Sequence, residues 1–178
     1  MKRILLIGSP GSGKTTILSE LEKRGYTCFQ EVSREIILEA QKRGIDQLFL
    51  SNPDEFNQKL LSGRIEQFKA CENITDDYVF IDRGLPDIIA YNNYINVATE
   101  SKILQASEEL VYDFVFMFPA WKKIFKKDNE RYESFEEAQK IQEHLKTTYR
   151  KYGYEICEVP IGDISERANY ILNVIEYS

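Results

Sequence analysis

An apolar run, Ile4 to Ile7, ends at Gly8 and gives way to Gly8-Ser9-Pro10-Gly11-Ser12-Gly13-Lys14-Thr15-Thr16, after which a helical segment runs from Thr16 to Lys23. Few short stretches restrict a fold so tightly. A buried strand must stop, the backbone must curl through glycines, and a helix must begin at once, so strand and helix are neighbours in space. The spacing is that of G-x-x-x-x-G-K-[ST]. Successive N–H groups in such a loop point into one concavity, and the helix N-terminus adds partial positive charge, so phosphate oxygens fit there. Gly8, Ser9, Pro10, Gly11, Ser12, Gly13, Lys14, Thr15 and Thr16 are the nucleotide-binding candidates. Lys14 is placed to reach β and γ phosphates, and the Thr15 hydroxyl to sit on Mg²⁺. A glycine-rich turn that merely joins strand to helix is the competing reading, and it does not explain the full motif in this context.

The rest of the chain repeats the alternation of strand and helix. Further buried strands are expected at Thr27 to Gln30, Tyr78 to Asp82, Phe114 to Phe118 and Glu155 to Val159. Between them the apolar period lengthens to 3.6 residues, as in Phe56, Leu60, Leu61, Ile65 and Phe68, and in Phe135, Ala138, Ile141, Leu145 and Tyr149. Helix starts are marked by Asn52-Pro53-Asp54-Glu55 and by two capping boxes, Ser134-x-x-Glu137 and Asp163-x-x-Glu166. Strands that are apolar without a gap, alternating with helices, predict an α/β architecture: a parallel sheet covered on both faces, with ligands at its carboxyl edge. No linker or repeat divides residues 1–178, which predicts a single domain.

Composition narrows the partners. The 178 residues hold 23 Lys plus Arg against 29 Asp plus Glu, a formal net charge of −6. Such a balance argues against nucleic acid or an anionic membrane as the main partner, and leaves room for a small anionic ligand at a local positive site. Three scattered cysteines, Cys28, Cys71 and Cys157, read as reduced thiols rather than a disulfide or zinc framework. No stretch approaches the roughly 20 apolar residues of a membrane span, and the run at Ile4 to Ile7 lacks the features of a secretory signal. A cytoplasmic protein is expected. Its oligomeric state is not legible.

A phosphate-bound magnesium ion needs a carboxylate, and Asp82 closes the apolar strand Tyr78-Val79-Phe80-Ile81 where one is expected. Asp82 could instead cap the next helix, where Gly84 and Pro86 mark a turn. Arg83 could pair with a phosphate or with an acid of the sheet. In nucleotide-hydrolysing motors the acid is usually followed by a Glu that polarises water; here Arg83 follows. That favours transfer to a bound acceptor over hydrolysis. A guanine-selecting Asn-Lys-x-Asp is missing from Lys126-Lys127-Asp128-Asn129, and the choice between ATP and GTP stays open.

Two clusters fit a phosphotransferase. Gln30-Glu31-Val32-Ser33-Arg34-Glu35 falls at the carboxyl end of the second strand, where Glu31 could accept a substrate hydroxyl or its proton and Arg34 could bind an anion. Glu31 could equally be an acid favoured by the helix dipole. The segment Trp121 to Glu133 carries Lys122, Lys123, Lys126, Lys127 and Arg131 and suits a lid, about 119–134, whose Arg131 closes over the transferring group. His144 reads as a surface or packing residue, and the many Tyr and Phe as core. A regulatory ATPase or GTPase switch acting on a protein, and a non-catalytic nucleotide-sensing module, are the alternatives.

Taken in order, Gly8 to Thr16, Gln30-Glu31-Val32-Ser33-Arg34-Glu35-Ile36-Ile37, Val79-Phe80-Ile81-Asp82-Arg83-Gly84-Leu85-Pro86-Asp87, Tyr112-Asp113-Phe114-Val115-Phe116-Met117-Phe118-Pro119 and Glu130-Arg131-Tyr132-Glu133 resemble a family. They are similar to small bacterial AAA-type P-loop ATP-binding proteins with a nucleoside-kinase-like domain, and more distantly to nicotinamide-riboside kinase domains. The resemblance runs over nearly the whole chain. It implies a three-layer P-loop fold with a five-stranded parallel sheet in the order 2-3-1-4-5. It also implies acceptor contacts near Glu31 and Arg34, a lid at Arg131, and adenine near the loop Pro160 to Ser165.

Overall fold

The computed structural model describes residues 1–125 and 133–177. Strands β1 (Lys2–Gly8), β2 (Thr27–Phe29), β3 (Tyr78–Asp82), β4 (Phe114–Phe118) and β5 (Ile156–Glu158) form one sheet in the order β2-β3-β1-β4-β5. Every pairing is parallel. Sheet and order match the expectation. The helices are α1 (Lys14–Lys23), α2 (Val32–Lys42), α3 (Leu48–Ser51), α4 (Pro53–Ala70), α5 (Leu85–Tyr94), α6 (Ser101–Glu109), α7 (Phe135–Lys151) and α8 (Ile164–Glu176).

The central strand shows why the strand sequences read as gapless apolar runs. Side chains alternate between faces, so Ile4 and Leu6 pack on one side with Ile17, Leu21, Ala168 and Ile171 of α1 and α8. Leu5 and Ile7 pack on the other with Phe68, Ala90, Ile141 and Leu145 of α4, α5 and α7. Both faces are therefore dry, and burying each large aliphatic chain stabilises the fold by about 1.5–3 kcal/mol. A third cluster, including Ile36, Leu60, Leu85, Ile88 and Ile103, joins α2, α4, α5 and α6 away from the sheet.

Local capping follows the sequence. Asn52 accepts the Glu55 N–H with Pro53 in the first helical turn, and Ser134 with Glu137 and Asp163 with Glu166 form reciprocal capping boxes. Cys28, Cys71 and Cys157 are all free, with Cys71 buried. Among the described residues no helix is long and apolar enough to cross a membrane.

The topology opens a crevice at the carboxyl edge. After β1 the chain turns to α1 on one face, whereas after β3 it turns to α5 on the other. Between two adjacent strands whose connections part in this way, a ligand can enter. Register sets the depth of the acids: Leu6 pairs with Asp82, so Asp82 stands beside β1 just below the Gly8 turn. Phe29 pairs with Ile81, which carries the chain after β2, with Glu31, to the same edge.

Candidate active site

The loop after β1 adopts the shape its glycines allow. Gly13, the N-cap of α1, has φ +92°, and a Cβ there would meet the Arg167 guanidinium at 2.8 Å. At Gly8 a Cβ would stand 2.5 Å from the Phe118 carbonyl oxygen, so β1 and β4 can approach only because it is absent. Gly13, with no side chain, offers no cap hydrogen bond to α1. Its first-turn N–H groups are thus left for an incoming anion.

Lys14 is 6% exposed and lies back along the loop. Its ammonium donates to the carbonyls of Gly8 at 3.0 Å and Ser9 at 3.2 Å, and to Ser12 Oγ at 3.5 Å. Burial, aided by the Arg83 charge, lowers its pKa to about 8. Asp82, Glu31 and Asp87 oppose that shift without cancelling it, and the negative charge of a bound phosphate would further favour the protonated ammonium.

Asp82 is 2% exposed, and burial raises its pKa to about 6 despite the nearby Lys14. Its Oδ1 is buried with no hydrogen-bond partner among the described residues. Asp82 does not cap α5: the Gly84 N–H at that helix start donates to Asp87 Oδ2 at 2.9 Å. A buried, unsatisfied carboxylate oxygen beside the phosphate loop fits a magnesium ion. Among the described residues no group of three or more His, Cys, Asp or Glu could hold a metal by itself. An ion here would take most of its ligands from phosphate and water, as Mg²⁺ prefers.

Glu31 is held in a clamp. One oxygen accepts from Arg64 Nη2 at 3.3 Å, and the other pairs with Arg83 Nε. Burial pushes the Glu31 pKa up, but Arg83, Arg64 and Lys14 together outweigh it and keep the carboxyl below its ordinary range. Glu31 also accepts the Ser33 N–H at 3.3 Å and so caps α2. The cap and the site occupy the same residue. Arg83 sits at φ +70°, unusual for a residue with a side chain, and its Nη1 reaches Asp87 Oδ1 at 3.2 Å. Asp87, fully buried, is fastened from α7 by the Tyr149 hydroxyl at 2.5 Å. Arg34 lines the same cavity, and its Nη2 donates to Thr15 Oγ1 at 3.3 Å. Arg34 thus touches the loop's hydroxyl, while Arg64 and Arg83 are paired with Glu31.

These groups surround one cavity of about 730 Å³ at the carboxyl edge, large enough for two ligands side by side. Its walls include Phe49, Phe56, Tyr91 and Trp121. Phe56 and Tyr91 pack against the core clusters, as expected of the Tyr and Phe residues, and also face this cavity. Gly162, Asp163 and Ile164 of the Pro160 to Ser165 loop also line it. Of the expected lid, Lys126, Lys127 and Arg131 lie outside the described residues, while Lys122 and Lys123 are exposed.

Three charged residues escape sequence reasoning. Arg64 has a recoverable signal, because Asn57, Leu60, Leu61, Arg64 and Phe68 are the buried stripe of α4, and a cation in that stripe needs a partner. Asp87 stands at the first turn of α5, where an acid reads as a cap. Arg167 has no signal: it follows the capping box of α8, yet both terminal nitrogens donate to the Ser12 carbonyl at 3.3 Å. Its guanidinium lies 4.7 Å from the Phe118 ring and 5.9 Å from Trp121.

A parallel sheet in this order, with a glycine loop after β1 and an acid after β3, defines a P-loop nucleotide-binding fold. A family model described as an AAA domain matches residues 3–167, and the chain belongs to that family. Among solved structures it resembles deoxyadenosine kinase from M. mycoides with the products dCMP and dCDP bound. That match has a TM-score of 0.73 and 19% identity, covering 99% of this chain and 100% of the other. Thymidylate kinase from Candida albicans matches with a TM-score of 0.69 and 19% identity over 99% of this chain and 91% of that one. The YorR protein of Bacillus subtilis, in complex with phosphorylated GDP, has a TM-score of 0.61 and 16% identity over 98% and 96%. No curated protein matches by sequence. The fold is that of the nucleoside and nucleotide kinases.

Proposed function

We propose that this chain transfers the γ-phosphoryl group of ATP to a hydroxyl of a nucleoside- or nucleotide-like acceptor. The observation that carries the reading is that a single cavity joins the phosphate loop to a buried, ionised carboxylate, Glu31. The loop's N–H groups and Lys14 hold the triphosphate. Glu31, oriented by Arg64 and Arg83, accepts the hydrogen bond of the acceptor hydroxyl and aims its oxygen at the γ-phosphorus. Thr15 and Asp82 would hold magnesium, which neutralises charge on the β and γ phosphoryl oxygens when bound. Arg131 is assigned to closing the lid over that charge, and the unit that acts is the single domain 1–178, placed in the cytoplasm.

Arg83 carries weight in choosing transfer over hydrolysis. The residue after Asp82 is a cation paired with Glu31 and Asp87, in the place where a hydrolase would present a second acid to water. The kinase fold of the resembling structures supports the same reading. Incubation with Mg²⁺ and either ATP or GTP, with and without a panel of nucleosides, nucleotides and ribosides, tests it by phosphorus NMR. A phosphorylated acceptor is expected. Steady phosphate release that no acceptor diverts would overturn the proposal in favour of a hydrolytic switch, and tight nucleotide binding with neither product would make it a sensing module.

A further inference from the structure

The charges of the cavity divide into two sets. At the donor end stand Lys14 and Asp82 with the phosphate loop, Arg34 on the Thr15 hydroxyl and Arg167 on the Ser12 carbonyl. At the acceptor end the cations are Arg64 and Arg83. Arg64 is shared between Glu31 and the Gly84 carbonyl, at 3.3 and 2.6 Å. Arg83 is shared between Glu31 and Asp87. Among the described residues, then, two guanidiniums at this end are matched by two buried carboxylates.

Among the described residues, the remaining wall of this end adds no positive charge. Asn57 Nδ2 donates to Asn92 Oδ1 at 2.9 Å, a buried amide pair flanked by Phe56, Ile88 and Tyr91. Glu133 and Glu137 also line the cavity and add negative charge. An acceptor bearing its own phosphate would bring about two negative charges beside Glu31 and Asp87, and among the described residues at this end the cations it would meet, Arg64 and Arg83, are already in ion pairs.

The chemistry of Glu31 points the same way. A phosphate oxygen is already ionised at neutral pH and needs no base, whereas a hydroxyl has a proton to lose. From this charge balance we infer that the acceptor is a nucleoside-type compound that carries no phosphate, phosphorylated on its free hydroxyl. In the step, the bond from the acceptor oxygen to the γ-phosphorus forms as the bond to the β–γ bridging oxygen breaks. The hydroxyl proton passes to a Glu31 carboxylate oxygen and the nucleoside diphosphate departs with the electron pair of the broken bond. The amide pair and aromatic rings supply hydrogen-bonding and stacking surfaces for a planar polar head.

This inference rests on the phosphoryl-transfer reading, and one experiment separates the two. The full chain is given ATP and Mg²⁺ with matched pairs, each nucleoside against its 5′-monophosphate, and kcat/KM is compared within each pair. The unphosphorylated member is expected to win by about a hundredfold or more, the scale set by buried groups left mismatched. Preference for the monophosphate would overturn this inference and leave transfer intact. No transfer to either member while ATP is bound and hydrolysed would overturn both. Glu31→Gln is the second arm, with ATP affinity measured alongside: transfer to the nucleoside should fall by about 10²–10⁴-fold. Undiminished transfer with unchanged ATP affinity would remove the base and with it the argument for a neutral hydroxyl.

Discussion

The Tyr149 hydroxyl donates a 2.5 Å hydrogen bond to Asp87, joining α7 to the turn that carries Arg83. Asp87 in turn holds Arg83, and Arg83 holds Glu31. Burial and the Asp87 charge push the Tyr149 pKa well above its ordinary value, so the hydroxyl remains a donor at any working pH. Tyr149→Phe should cost about 1–3 kcal/mol by leaving a buried acceptor short of a partner. Loosening Arg83 should also lower turnover while nucleotide affinity stays put. Denaturant melts and a binding titration, run beside the transfer assay, check the three quantities; an unchanged turnover would limit Tyr149 to packing.

Removing Asp82 should separate stability from function. Burial raises its folded pKa to about 6 from an ordinary 3.8, so its contribution to stability is fully present below about pH 4 and is lost as pH rises through 6. At pH 7 the charge is retained at a cost of about 3 kcal/mol at most. Asp82→Asn should therefore melt higher than the parent protein at pH 7 and show no such gain near pH 4, while magnesium-dependent activity is lost. Melts at the two pH values give the comparison.

Nucleotide affinity should show a maximum between about pH 6 and 8. Below 6, Asp82 takes up a proton and the magnesium-dependent part of binding weakens. Above 8, the free protein's Lys14 loses its proton and with it the charge that meets phosphate. A fluorescent ATP analogue titrated across this range, with and without Mg²⁺, reads both limbs. The acidic limb should vanish without the metal. Lys14→Ala should abolish the alkaline limb together with most of the affinity.

Arg167 should act on nucleotide binding and leave the chemical step alone. It anchors the Ser12 carbonyl from the last helix and stands against Gly13. Arg167→Ala would release one peptide group of the loop, and an order-of-magnitude rise in KM for ATP is expected from hydrogen bonds to a charged donor worth about 1.5–3 kcal/mol. kcat should change less than twofold. Arg167→Lys, which keeps the charge and loses the two-nitrogen contact, should restore only part of the affinity.

The central strands β1, β3 and β4 were legible because they are buried on both faces, so their composition marks them, whereas the edge strands β2 and β5 are only partly buried and show in sequence as short apolar stretches between helices. The phosphate loop was legible because its residue types follow from backbone geometry within a short segment. The capping boxes at Ser134 and Asp163 were legible for the same reason. The reading of Glu31 stopped at two alternatives, an acid favoured by the helix dipole and a functional carboxylate. The structure has it capping α2 at the start of that helix while its carboxylate is held in the Arg64–Arg83 clamp.

What the sequence determined by itself is what depends on neighbours in the chain: strand and helix periods, helix starts, and a loop able to curl around phosphate. Only the tertiary structure decided which charges meet. Arg64 comes to Glu31 from 33 residues away, Tyr149 to Asp87 from 62, and Arg167 to Ser12 from 155. No local pattern encodes those pairings. They arise because the sheet order brings the ends of β1, β2 and β3 together, and because buried charges are held only where partners of opposite sign or hydrogen-bonding groups arrive with them.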